Sequence, residues 1–121
     1  MLKGENIQLR ALEPSDLETL YQWENNTKIW KVSKTIAPFS KHVLTKYLAN
    51  AHQDIFTAKQ LRLIIEKNRK PIGTIDLFDF EPTHQRAGVG ILIADEYERQ
   101  KGYAKEALQL MINYAFKQLQ L

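Results

Sequence analysis

The strongest constraint on the fold is the stretch 59–93, where three strand-like runs follow one another with only short breaks. "KQLRLIIEK" puts Leu61, Leu63 and Ile65 on one face of a strand. "NRKP" is a turn signal, "IGTIDLFDF" a second run, "EPTH" a short hairpin connection and "QRAGVGILI" a third run. Connections this short make the three strands antiparallel. Directly downstream, Gly102 opens a helix to about Gln118, with Ala104, Ala107, Leu108, Met111, Ile112, Ala115 and Phe116 at helical spacing.

The upstream third supplies one more strand and two helices. "ENIQLRAL" alternates at Ile7, Leu9 and Ala11. "EPSDLETLYQWENN" opens with Pro14 in a first helical turn, where Asp16 and Glu18 suit the positive end of the helix, and Leu17, Leu20 and Tyr21 share a face. "TKIWKVSKTIAPFS" reads as a loop. Ser40 is the N-cap of a second helix through about Ala51, buried along Val43, Leu44, Tyr47 and Leu48. The order is strand, two helices, three antiparallel strands, helix. It defines an α/β (α+β layered) domain with a mostly antiparallel central sheet, and the 121 residues suit one such domain, residues 1–121.

Composition narrows the chemistry. There is no cysteine, so thiolate nucleophiles, disulfides and zinc–thiolate sites are excluded. His42, His52 and His84 lack ligand-like spacing, and no metal is expected. A net charge of +3 and a pI of about 9.1 suit an anionic ligand, but no dense Lys/Arg stripe argues for nucleic acid. No apolar run is long enough to span a bilayer and the N-terminus has no signal-peptide core, so a soluble, cytoplasmic protein is expected.

Between the last strand and the last helix lies "YERQKGYAKEAL", Tyr97 to Leu108. A helix N-terminus offers unpaired N–H groups and partial positive charge, and a glycine there lets an anion approach the backbone. Arg99 and Lys101 add positive charge. The same residues also serve as plain turn chemistry, and the stretch taken alone allows both readings.

The sequence Arg99-Gln100-Lys101-Gly102-Tyr103-Ala104 resembles the Arg/Gln-x-x-Gly-x-Gly/Ala signature of the GCN5-related N-acetyltransferases. Pro71 to Phe116 is similar to the central block of their RimJ/RimL-like and spermidine-acetyltransferase-like branches, and "IQLRALEPSDLETLYQWENN" to their first strand and helix. The resemblance implies acetyl-CoA as cofactor and an amine acceptor: a polyamine, another small amine or a protein N-terminus. It implies that Arg99, Gln100, Lys101, Gly102, Tyr103 and Ala104 bind the pyrophosphate. Ile91, Leu92 and Ile93 would pair with the pantetheine arm, and the Ile91 backbone N–H would face the thioester carbonyl. The amine attacks directly in a ternary complex, so the absence of cysteine is no obstacle.

Asp79 and Glu81 share a face by alternation, opposite Asp76. They and His84 are candidates to attract a cationic amine or take its proton, although hairpin carboxylates and a turn histidine are also ordinary solvated groups. Gly88 and Gly90 mark either a bulge or close ligand approach, or relief of packing. Two departures from the family pattern stand out. Gly88 occupies the place where many relatives carry Glu, and the loop "DEYERQKG" is one residue longer than usual. The family also continues beyond this helix with further strands and a helix whose tyrosine protonates the CoA sulfur. The resemblance therefore implies a domain incomplete at its C-terminus, with Tyr97, Tyr103 and Tyr114 as packing residues. It also implies an apolar edge at the last strand, "VGILIA", open to pairing with a second copy. The rival function is a non-catalytic CoA-binding or self-associating unit.

Overall fold

The computed structural model describes residues 2–26, 40–49, 60–81 and 86–118. They fall into two compact units, Met1–Ala11 with Asp54–Leu121, and Leu12–Gln53. The first contains a five-stranded antiparallel sheet in the order β1-β2-β3-β4-β5: β1 Leu2–Lys3, β2 Gln8–Ala11, β3 Leu61–Lys67, β4 Lys70–Glu81 and β5 Arg86–Ile93. The three expected hairpin strands are all present, and β1 is an addition, a two-residue strand too short to show a period. Asn68 and Arg69, with φ of 51° and 66°, form the two-residue turn joining Lys67 to Lys70. That left-handed pair is what a tight hairpin of matching twist requires.

Helix α3, Tyr103–Gln118, packs on the sheet through buried Ala107 and Met111 against Leu9, Leu63, Ile65, Ile75 and Leu77. Tyr103, Leu110 and Tyr114 complete this contact. The apolar line is thus rotated from the expected stripe: Phe116 is 65% exposed, while Leu110 and Tyr114 turn inward. Tyr103 and Tyr114 pack as expected, but Tyr97 does not; it is 80% exposed. β3 is buried at four consecutive residues, Leu63 to Glu66, because it has a strand on either side. β5 is only half-buried at "GILI", where it has one strand neighbour among the described residues.

The second unit holds α1, Leu17–Glu24, and α2, Lys41–Ala49. A turn at Pro14–Asp16 leads into α1, where the buried Asp16 carboxylate accepts the Glu13 N–H at 2.7 Å. Ser40 caps α2 as expected, its Oγ accepting the Val43 N–H at 3.1 Å. Leu20, Leu44 and Leu48 form a small core, with Leu17 and Tyr21 against it. Val43 was expected in that stripe but is 50% exposed, because α2 buries only the line through Leu44 and Leu48. Residues 27–39, read from sequence as a loop, residues 50–51, where the second helix was expected to end, and residues 82–85 of the expected hairpin connection lie outside the described residues.

Candidate functional site

The site is built on the sheet's edge. The Ala94 N–H donates to the Ile72 carbonyl at 2.8 Å, which makes 72 and 94 a hydrogen-bonded pair. The β4–β5 register continues from Gly73↔Ile93 to Phe78↔Gly88 without a shift. Hydrogen-bonded and non-hydrogen-bonded pairs alternate along an antiparallel ladder. Leu92, Gly90 and Gly88 therefore direct their backbone groups to β4, and Ile93, Ile91 and Val89 direct theirs outward. Since β5 ends the sheet order, the outward groups meet no strand among the described residues. The Ile93 carbonyl is taken by Arg99 Nε at 2.8 Å.

The chain next makes a single 3-10 turn at Glu96–Glu98, capped by Asp95, whose Oδ1 accepts the Tyr97 N–H at 3.0 Å. Asp95 Oδ2 holds Lys70 Nζ at 3.1 Å, and that ammonium keeps the carboxyl below the ordinary aspartate range. Gln100 (φ 63°) and Gly102 (φ 81°) then turn the chain into α3. The first helical bond runs from the Glu106 N–H to the Gly102 carbonyl at 3.1 Å. Consequently the N–H groups of Tyr103, Ala104 and Lys105 have no backbone acceptor among the described residues. A Cβ placed on Gly102 would meet nothing within 4 Å, so the space over this turn is open. The geometry fits an oxyanion: free donors, positive dipole and room.

Charge around the turn is organised by Glu98. Its Oε2 accepts Lys67 Nζ at 3.0 Å and Lys101 Nζ at 3.5 Å. Lys67 also lies over the Tyr103 ring, 5.2 Å from its centre. Tyr103 and Glu98 hold the Lys67 ammonium above its ordinary pKa, and Lys67 in turn keeps Glu98 below the usual carboxylate range.

Elsewhere on β4, Asp76 is committed to Arg62 on β3, accepting Nε at 2.8 Å and Nη2 at 3.0 Å. The β4–β5 register shifts between Phe78 and Glu81, so strict alternation does not carry from Asp76 to Glu81. The side chains of Asp79 and Glu81, and His84 altogether, lie outside the described residues. Gly88 has a packing reason: a Cβ there would run into the Phe78 ring of the paired strand, and Gly90 also faces that ring. A separate open polar cleft of about 270 Å³ is lined by Lys3, Asn6, Gln8, Glu66, Asn68 and Arg69 among others, and none of Ile91–Ile93 or Arg99–Ala104 lines it. No group of acidic or histidine side chains among the described residues could hold a metal ion, and no helix among them is long and apolar enough to cross a membrane.

Sequence reading did not find Lys67 or Glu98, which meet across 31 positions, nor Glu106, which bonds to Asn6 and Ile7 about a hundred positions upstream. No local pattern signals such pairs.

An open sheet edge, a left-handed turn and a helix whose first N–H groups have no backbone acceptor among the described residues together offer donors suited to an extended, anionic ligand. The chain belongs to the acetyltransferase (GNAT) domain family, which it matches over residues 6–121. It is 29% identical over 121 residues to spermidine N(1)-acetyltransferase of Escherichia coli K12, and spans 63% of that relative's length. The structure of spermidine N-acetyltransferase from Vibrio cholerae in complex with CoA and spermine superposes with a TM-score of 0.82 at 29% identity, over 98% of this chain and 68% of that one. The ribosomal L7/L12 alpha-N-protein acetyltransferase RimL, at 22% identity and a TM-score of 0.74 over 93% of this chain and 62% of that one, shares the fold.

Proposed function

We propose that the chain carries the acetyl-CoA-binding elements of an N-acetyltransferase whose acceptor is a primary amine, either a polyamine or other small amine or a protein N-terminus. The observation that carries this reading is the set of uncommitted N–H groups at Tyr103, Ala104 and Lys105, behind a turn kept open by Gly102. Family membership and the CoA present in the Vibrio cholerae relative's structure support it.

Acetyl-CoA would supply an activated acyl thioester. Toward it, the turn residues Arg99 to Ala104 offer donors and positive charge for the pyrophosphate. The outward N–H and C=O groups of Val89 and Ile91 offer a strand's worth of hydrogen bonds to an amide-bearing arm, along the Ile91–Ile93 segment. The Ile91 N–H is the donor suited to polarise the thioester carbonyl. Direct attack by a neutral amine forms the C–N bond and breaks the C–S bond; the amine loses a proton and the leaving thiolate gains one. Asp79, Glu81 and His84 are the candidates to attract the cationic amine and accept its proton. Position 88 cannot contribute an acid, since it is glycine beneath the Phe78 ring.

The test is a calorimetric titration of the chain with CoA, repeated with Gly102→Pro, with folding checked by circular dichroism. Proline fixes φ near −65°, against the observed 81°. Binding that falls more than about tenfold in the variant supports the reading; no binding by the parent overturns it for this chain. The same open β5 groups favour a second reading, self-association edge to edge. Solution scattering that gives a monodisperse monomer overturns that one.

A further inference from the structure

We infer that Glu106 is a positioning residue for the anion-binding turn, fastening the first turn of α3 to the β1–β2 turn and so fixing where the free N–H groups point. The inference rests on the cofactor reading above and deepens it. An acidic side chain in a first helical turn ordinarily serves its own helix, facing the unpaired N–H groups. Glu106 does the opposite. Its Oε2 accepts the N–H groups of Asn6 and Ile7, both at 3.0 Å, and its Oε1 accepts Asn6 Nδ2 at 3.0 Å. Both carboxylate oxygens are spent on the β1–β2 turn, and the donors of Tyr103, Ala104 and Lys105 stay available.

The β1–β2 turn is shaped for this carboxylate. The Gly4 N–H donates to the Ile7 carbonyl at 2.8 Å, closing the turn. A Cβ on Gly4 would run directly into the Glu106 carboxylate, so only glycine leaves room for it. Burial alone would raise the Glu106 pKa, but the donors from Asn6 and Ile7 outweigh it and hold the group below its usual range. The neighbouring Ala107 and Met111 are fully buried and decide which face of α3 meets the sheet. Apolar contacts allow sliding and rotation; three directed bonds to one carboxylate do not.

The experiment is CoA titration of the parent chain, Glu106→Ala, Glu106→Gln and Gly4→Ala, with Leu110→Ala as a control that removes an apolar contact of α3 with the sheet without touching the clamp. Glu106→Ala is expected to weaken binding about tenfold, Glu106→Gln less, because its one remaining oxygen still accepts. Gly4→Ala is expected to weaken binding alone and to have no further effect in the Glu106→Ala background. A folded Glu106→Ala chain that binds CoA like the parent, or Gly4→Ala losses that simply add, overturn the inference. If the parent does not bind CoA, the cofactor reading fails and the clamp is read by amide NMR. Glu106→Ala must then shift the resonances of Tyr103, Ala104 and Lys105 as well as those of Asn6 and Ile7; shifts confined to the latter two overturn it.

Discussion

β3 and β5 are similar in apolar content and opposite in use. β3 lies between β2 and β4 and is buried at four residues in a row, with both faces covered and both backbone edges paired. Among the described residues β5 has a single strand neighbour, no buried side chain, and outward N–H and C=O groups at Val89 and Ile91. A run of Leu, Ile and Val specifies a strand in both cases; the number of neighbours decides whether that strand becomes scaffold or offers a hydrogen-bonding edge. In this unit the scaffold strand and the open edge are separated by β4 alone.

The sharpest way to break that comparison is to remove equal side chains from both strands. Ile65→Ala is expected to cost about 2–5 kcal/mol, since Ile65 is fully buried and the cavity cannot refill from water. Ile91→Ala, half-buried on the edge, should cost roughly 1 kcal/mol, in proportion to the smaller apolar area lost. Urea denaturation of the two variants decides; equal losses would mean that β5 is as much a core strand as β3. Next is Gly88→Ala, which sets a methyl against the Phe78 ring; that ring is 43% exposed and can turn aside, so the cost should be about 1 kcal/mol. In a Phe78→Ala background that penalty should vanish, whereas a persistent cost would place its origin in the backbone. A smaller effect with the opposite sign is expected at the scaffold's own turn: Arg69→Gly relieves a left-handed non-glycine residue and should gain up to ~1 kcal/mol, reduced by the added freedom of the unfolded chain.

The same contrast explains what was legible in the sequence. Alternation at Leu61, Leu63 and Ile65 and the turn at Asn68–Arg69 are local, and they defined the hairpin and its orientation. The turn from Arg99 to Ala104 was legible for the same reason: its glycine, its charges and its helix are contiguous. The apolar line of α3 was displaced because helical spacing fixes a period, while the inward direction depends on which sheet residues wait beneath; Leu110 and Tyr114 found partners and Phe116 did not. Gly88 acquired its meaning only from Phe78 across the strand pair, and Glu106 only from Asn6 and Ile7. Asp79 and Glu81 were placed by counting in twos, and the register shift after Phe78 interrupts that count.

The smallest expected effect concerns how the scaffold holds the turn that leads into α3. Lys67 and Lys70, at the two ends of the β3–β4 turn, grip Glu98 and Asp95. Both carboxyls have folded-state pKa values below their unfolded ones, chiefly through those lysines. A depressed carboxylate contributes stability above its unfolded pKa and loses it as pH falls through the folded one. Lys67, raised above its ordinary value by Tyr103 and Glu98, loses its share only as pH rises past that value, far from the acid window. The pairs are solvent-screened, so the acid effect should be local. Below pH ~4 the amide resonances of Tyr97 and Glu98 should shift and exchange faster with solvent, while those of β3 remain protected. Glu98→Gln should flatten the part of that profile that belongs to the Lys67 pair. If β3 and the turn instead lose protection together at the same pH, the turn is an integral part of the core, and the division between scaffold strand and open edge fails.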